Sequence, residues 1–173
     1  MTALTDFRKM KDEFYASDPQ SPLTEEQKQT FTGLHYYPEN PDLKFMLTIE
    51  EFSKKEKVSI QTSKGDVRSY ERFGKIAFPV EGEPVSLTIY KVEQDFFLPF
   101  VDSQAGKETY PAGRYLEMEP LTDGSYLVDF NMAYNPYCAY NDRWSCPITP
   151  TENRLNVPIR AGEKIYEEHA QLK

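Results

Sequence analysis

Histidine and cysteine are nearly absent from this chain, with two of each in 173 residues. A zinc site would have to join Cys138 and Cys146 to His35 and His169, both far away in sequence. The C-x7-C spacing is also neither that of a zinc ribbon nor the C-x-x-C of a thiol oxidoreductase. No metal is expected, and no cofactor. Positive charge is short too: 20 Lys and Arg against 28 Asp and Glu leave a net charge of -8. Such a field repels a phosphate backbone, so nucleic acid is not expected as a partner. No apolar run approaches bilayer length, and the opening MTALTDFRKMKDEFY lacks the apolar stretch of a secretory signal. The expectation is a cytoplasmic location without membrane association. Glycine is sparse, and none of it falls in a G-x-G-x-x-G or G-x-x-x-x-G-K phosphate cradle; G-x-S-x-G and H-E-x-x-H are missing as well.

What the chain has is aromatic residues and proline: 12 Tyr, 11 Phe and 13 Pro, a mixture suited to strands and rigid loops. Its length fits a single domain over 1–173, with a helical segment over 1–40 and a β-rich body over 41–173. Residues 6–16 read as an amphipathic helix started by Asp6, with Phe7, Met10 and Phe14 on one face. A second helix starts in SPLTEEQKQTF, capped by Ser21 or Thr24. Beyond Pro41, the segments LKFMLTIEEF, KVSIQT, RSYERFGKIAF, VSLTIYKVE and FFLPFVD read as strands, too closely spaced for crossover helices. The expected fold class is α+β, predominantly β: an antiparallel sheet curled as a barrel or sandwich, with the N-terminal helices packed on it.

Residues 113–136 read as a hairpin turning at Asp123-Gly124. A loop of two or four residues places Arg114, Leu116, Met118, Leu127, Asp129 and Asn131 on one face, with Val128 and Phe130 on the other. Arg114, Asp129 and Asn131 then gather at the polar end, where the chain enters NPYCAYNDRWSCP, residues 135–147. Two roles fit this cluster: an Arg114–Asp129 salt bridge at a sheet edge, or a pocket for a small polar or anionic ligand. In the loop, Pro136 and Pro147 fix both ends, and Trp144 is the expected packing anchor. The cysteines fit buried thiols, a disulfide, a metal site or a nucleophile. The run DSQAGKETYPAGR, with Asp102, Lys107 and Glu108, reads as a solvated turn or a pocket wall. RLNVPIRAGEK supplies Arg160, Glu163 and Lys164.

The blocks ETYPAGRYLEMEP, DFNMAYNPYCAYNDRWSCP and ENRLNVPIRAGEK resemble the signature blocks of the bacterial and archaeal family known as domain of unknown function 1684, and SPLTEEQKQTFTGLHYYP resembles its short members. ITPT departs from a more proline-rich stretch in many relatives. The resemblance implies a compact, mostly β domain and no known activity. Its motif positions here are Arg114, Tyr115, Asp129, Asn131, Asn135, Cys138, Cys146, Asn153, Arg160, Glu163 and Lys164.

The resulting expectation is a small-ligand-binding domain using Arg114, Asp129, Asn131, Asn135, Cys138, Tyr140, Arg160 and Lys164. One alternative is a hydrolase or lyase with Asp129 or Glu163 as acid/base, and another is a structural or partner-binding module. The oligomeric state is left open.

Overall fold

The computed structural model describes residues 2–166. Helix α1 (Ala3–Ser17) begins one turn before Asp6, because Thr2 and Thr5 cap each other's backbone in a capping box. Helix α2 (Glu25–Thr30) starts at Thr24 with the same device, closed by Gln27. The β-rich body carries strands β1 (Lys44–Leu47), β2 (Glu50–Gln61), β3 (Val67–Val80), β4 (Glu83–Val92) and β5 (Asp95–Phe100). Strands β6 (Arg114–Leu116), β7 (Glu119–Pro120) and β8 (Tyr126–Asp129) follow.

Two antiparallel sheets result, one ordered β2-β3-β4-β5-β6 and the other β1-β8-β7. Both are open, and no closed barrel forms among the described residues. The body is predominantly β, as the strand-like segments predict, and LTIEEF through KVSIQ runs largely as the single long strand β2. In β3, Gly74, Ile76, Phe78 and Val80 alternate inward, and the parity changes at a register break beside Arg72. Gly74 permits that break: a Cβ there would lie 2.7 Å from the Glu50 carbonyl oxygen. The core fills the space where inner faces of both sheets meet. Phe130, fully buried in the turn that follows β8, meets the large sheet at Phe78 (tilted rings, 5.1 Å) and Phe100 (edge to face, 5.3 Å).

The chain changes sheets inside the segment read as one hairpin arm. Leu116 pairs with Leu98 in the large sheet, whereas Glu119 pairs with Leu127 in the small one. The turn also differs by one residue. Leu121 N–H donates to the Ser125 carbonyl at 2.9 Å, leaving a three-residue loop with Gly124 at φ +86°. An odd loop reverses the facing rule, so Leu127 and Asp129 stand with Glu119, and Leu116 joins Val128 and Phe130 in the core. The predicted convergence of Arg114 with Asp129 does not occur.

Candidate functional site

After Asn153 the chain runs through 154–164 without regular strand structure, so its backbone polar groups need other partners. Arg114 supplies them. Its Nη1 donates to the carbonyls of Ala161 (2.5 Å) and Glu163 (3.1 Å), and its Nη2 to that of Ile159 (2.8 Å). The guanidinium is 1% exposed and lies over the Phe100 ring. Its carboxylate partner is Asp102, at 3.8 Å, not Asp129. Asp102 is buried rather than solvated, accepting from Ile159 N–H and Thr109 Oγ1. Gly162 completes the turn, since a Cβ would lie 2.7 Å from the carbonyls of Ala133 and Phe130. The Ala-Gly-Glu-Lys sequence thus closes a tight turn against residues 130–133.

The other predicted residues separate into distinct places. Asn131 exchanges hydrogen bonds with the Asn40 backbone, at 2.8 and 2.9 Å, and Asp129 Oδ1 accepts from the Asn131 backbone and side-chain amides. This knot ties the end of β8 to the entrance of the β-rich body. Asn153 is enclosed, bonded to Thr88 and Pro99. Tyr115 donates to the Pro147 carbonyl at 2.6 Å. Arg160 is exposed beside Glu108, and the Lys164 ammonium lies over the Tyr37 ring.

Glu163 anchors a second polar cluster, which gathers the predicted Asn135 and Tyr140 with Lys11. Its carboxylate, 1% exposed, accepts from Tyr140 Oη (2.7 Å) and Asn135 N–H (3.2 Å), and it pairs with Lys11 of α1. Burial and the adjacent Glu163 charge push the Tyr140 hydroxyl well above its ordinary range. Asn135 Nδ2 reaches the Lys164 carbonyl, while its buried Oδ1 has no partner. Helix α1 therefore turns Arg8, Lys11, Asp12 and Tyr15 towards the body. Arg8 donates to the Tyr37 carbonyl at 2.9 Å, and Asp12 accepts from Leu34 N–H and Tyr36 Oη. Phe7 and Met10, read as the packing face, are 40% and 68% exposed.

Between α1 and the β7–β8 hairpin lies a cleft of about 440 Å³. Phe7, Met118, Leu127 and Met132 form its apolar walls, and Tyr134 also lines it. Three carboxylates border it: Glu117, Glu119 and Asp129. Its one cation is Lys11, already paired with Glu163. Of the predicted site residues, only Asp129 lies on this cleft. Lys11, Glu117, Glu119 and Tyr134 went unread as a site because their convergence depends on the change of sheet and on the polar face of α1.

The 135–147 loop forms a third feature. Asn141, Arg143 and Trp144 all donate to the Pro22 carbonyl, at 2.8 to 3.0 Å, which pins the loop to the N-terminal segment. Its exit is tied to the β2–β3 turn by Ser63 N–H to the Cys146 carbonyl (2.9 Å) and Cys146 N–H to Ser63 Oγ (3.1 Å). Cys138 and Cys146 are free thiols, both buried, in a cluster with Tyr110, Ala139 and Trp144. A smaller cavity of about 320 Å³, walled by Tyr115, Tyr134, Tyr137 and Trp144, reaches Cys146. Among the described residues no group of three or more His, Cys, Asp or Glu side chains is placed to hold a metal ion. His169 lies outside the described residues. No helix among them is long and apolar enough to cross a membrane.

A family model described as "Protein of unknown function (DUF1684)" matches residues 29–164. A solution NMR structure of the uncharacterized protein from gene locus rrnAC0354 of Haloarcula marismortui is 36% identical. It superposes with a TM-score of 0.70 over 93% of this chain and 91% of that one. No protein with a curated description matches.

Proposed function

The chain belongs to the DUF1684 family of proteins of unknown function, and from that premise we propose that it is a small-ligand-binding domain whose site is the cleft between α1 and the β7–β8 hairpin. The observation that carries this reading is the pairing of apolar walls with a carboxylate border. Clefts of a few hundred cubic ångströms lined by apolar side chains and a few polar groups are the usual form of small-molecule sites. Methionine walls adapt to different ligand shapes.

The carboxylate border favours a ligand with a cationic end. The small polar or anionic ligand expected from the sequence depended on Arg114, and that guanidinium is enclosed by backbone carbonyls. Glu117, Glu119 and Asp129 remain at the cleft, with Lys11 neutralised by Glu163. The ligand class that fits has an apolar body and a cationic end, an alkyl- or arylammonium compound.

Methionine methyl NMR tests this with matched probes, phenethylammonium against phenylpropionate. The ammonium compound should shift Met118 and Met132 while leaving Met46 in place. Replacing Glu117 and Glu119 together by Gln should weaken binding about tenfold, as expected for two partly solvated charge contacts of about 0.5–1 kcal/mol each. Equal or stronger binding of the carboxylate would sink the reading.

A further inference from the structure

The two cysteines are the chain's only thiols, and the fold sets them against each other. Cys138 sits in a short 3-10 turn (Tyr137–Ala139) following Pro136, and its backbone N–H donates to Cys146 Sγ at 3.3 Å. Tyr110 Oη lies 3.8 Å from Cys138 Sγ. Each cysteine retains a small exposed fraction, 9% and 8%, and Cys146 opens on the cavity beside Trp144. A pair of inert core thiols would need neither the polar partners nor the opening.

We propose that Cys138 and Cys146 form a redox-active dithiol that exchanges two electrons with low-molecular-weight disulfides, closing reversibly into an intramolecular disulfide. Cys138 leads. The hydrogen bond from the Cys146 thiol, assisted by the Tyr110 and Ser63 hydroxyls, outweighs burial and lowers the Cys138 thiol to about 7. The same contact and burial raise Cys146, which keeps the proton. In the first step the Cys138 thiolate attacks one sulfur of a small disulfide RSSR, forming a Cys138–SR bond and expelling RS⁻. In the second, Cys146 gives up its proton to that thiolate or to water and attacks Cys138 Sγ. The Cys138–Cys146 bond forms and the second RS⁻ leaves. Two protein thiols are oxidised, one RSSR is reduced to two RSH, and no other oxidant is needed. With Cys146 Sγ already against the Cys138 backbone, the bond requires the two sulfurs to close to about 2 Å.

Trp144, the only tryptophan, packs in the same cluster and reports on the bond. The folded full chain is equilibrated with oxidised and reduced glutathione in varying ratio, and remaining thiols are alkylated and weighed. Both thiols should disappear in one transition, with the loss of two hydrogens and a fall in Trp144 fluorescence. Cys146→Ser should stop at a glutathione adduct on Cys138, and Cys138→Ser should form its adduct about tenfold more slowly, following the lower thiolate fraction. A second measurement needs no variant: iodoacetamide labelling of Cys138 in the native chain should reach half its maximal rate near pH 7. Three results would overturn the proposal. Both thiols persist in oxidised glutathione while the urea-unfolded chain oxidises; two separate adducts form without a disulfide; or labelling follows the profile of an ordinary thiol.

Discussion

Arg114 illustrates how a buried charge can serve backbone rather than ligand. Its N–H groups satisfy three carbonyls of an irregular segment, and its charge balances Asp102 in the same enclosed space. Arg114→Ala leaves the buried Asp102 carboxylate without its countercharge and removes the guanidinium donors from the Ala161 and Glu163 carbonyls, so urea melts should show a loss of about 3–5 kcal/mol. Arg114→Lys should recover little, because one ammonium cannot span three carbonyls set around a planar fork. The sequence marked Arg114 as consequential yet misassigned its partner. A one-residue difference in a turn exchanges the two faces of a strand, and nothing local to Asp123-Gly124 distinguishes a three-residue loop from one of two or four. A second charged pair has a pH signature. Burial alone would raise the Glu152 carboxyl, but hydrogen bonds from Arg72 and Tyr90 prevail and hold it below its ordinary value. A depressed carboxyl stabilises the fold above its unfolded value of 4.5, and that contribution is lost as pH falls through the lower, folded one. Glu152→Gln should therefore flatten the acid limb of a melting profile below about pH 4.5 while changing little at pH 2.

Among the elements, α1 departs most from its sequence pattern. Apolar spacing identified the helix and Phe14 as a packing residue, but Phe7 and Met10 of the same stripe are exposed, and Arg8, Lys11, Asp12 and Tyr15 dock it. Periodicity finds an amphipathic stripe; it cannot register that a helix is held by long polar side chains reaching carbonyls and a buried carboxylate. Asp12 gives a test of that docking. Burial raises its carboxyl despite hydrogen bonds from Leu34 N–H and Tyr36 Oη, and the Glu163 charge adds to the rise. A raised carboxyl favours the fold at low pH, an advantage lost as pH climbs from the unfolded 3.8 through the folded value. Asp12→Asn keeps an acceptor for both donors and removes the charge, so melts at pH 7 should show it neutral or about 0.5 kcal/mol more stable. The 135–147 loop is more legible: its prolines and Trp144 predict a rigid, anchored segment. The anchor point, the Pro22 carbonyl, lies more than a hundred residues away and leaves no local trace. Trp144→Phe should cost about 1 kcal/mol for the lost donor, and Trp144→Ala about 3 kcal/mol, in the same melts.

For the whole molecule, strand-forming segments and close turn spacing were enough to predict an antiparallel, mostly β body. The split into two sheets was not legible, because it turns on the chain crossing between them at Glu117 and Met118. Phe130 marks that junction, and Phe130→Ala should lower stability by about 3–5 kcal/mol in one cooperative transition if both sheets unfold together. The outer boundary of the large sheet has a different consequence. Strand β2, 12 residues long, has no strand partner on its far side among the described residues, a length at which a second chain can add its own strand. Glu50, Glu51, Lys54, Lys55, Glu56 and Lys57 crowd that side of the molecule, and the register break between Glu51 and Glu56 twists the ribbon away from flatness. Resistance to fibril formation is therefore written into the most exposed strand: with Lys54, Lys55 and Lys57 changed to Thr, a concentrated solution should turn thioflavin-positive where the native one stays clear.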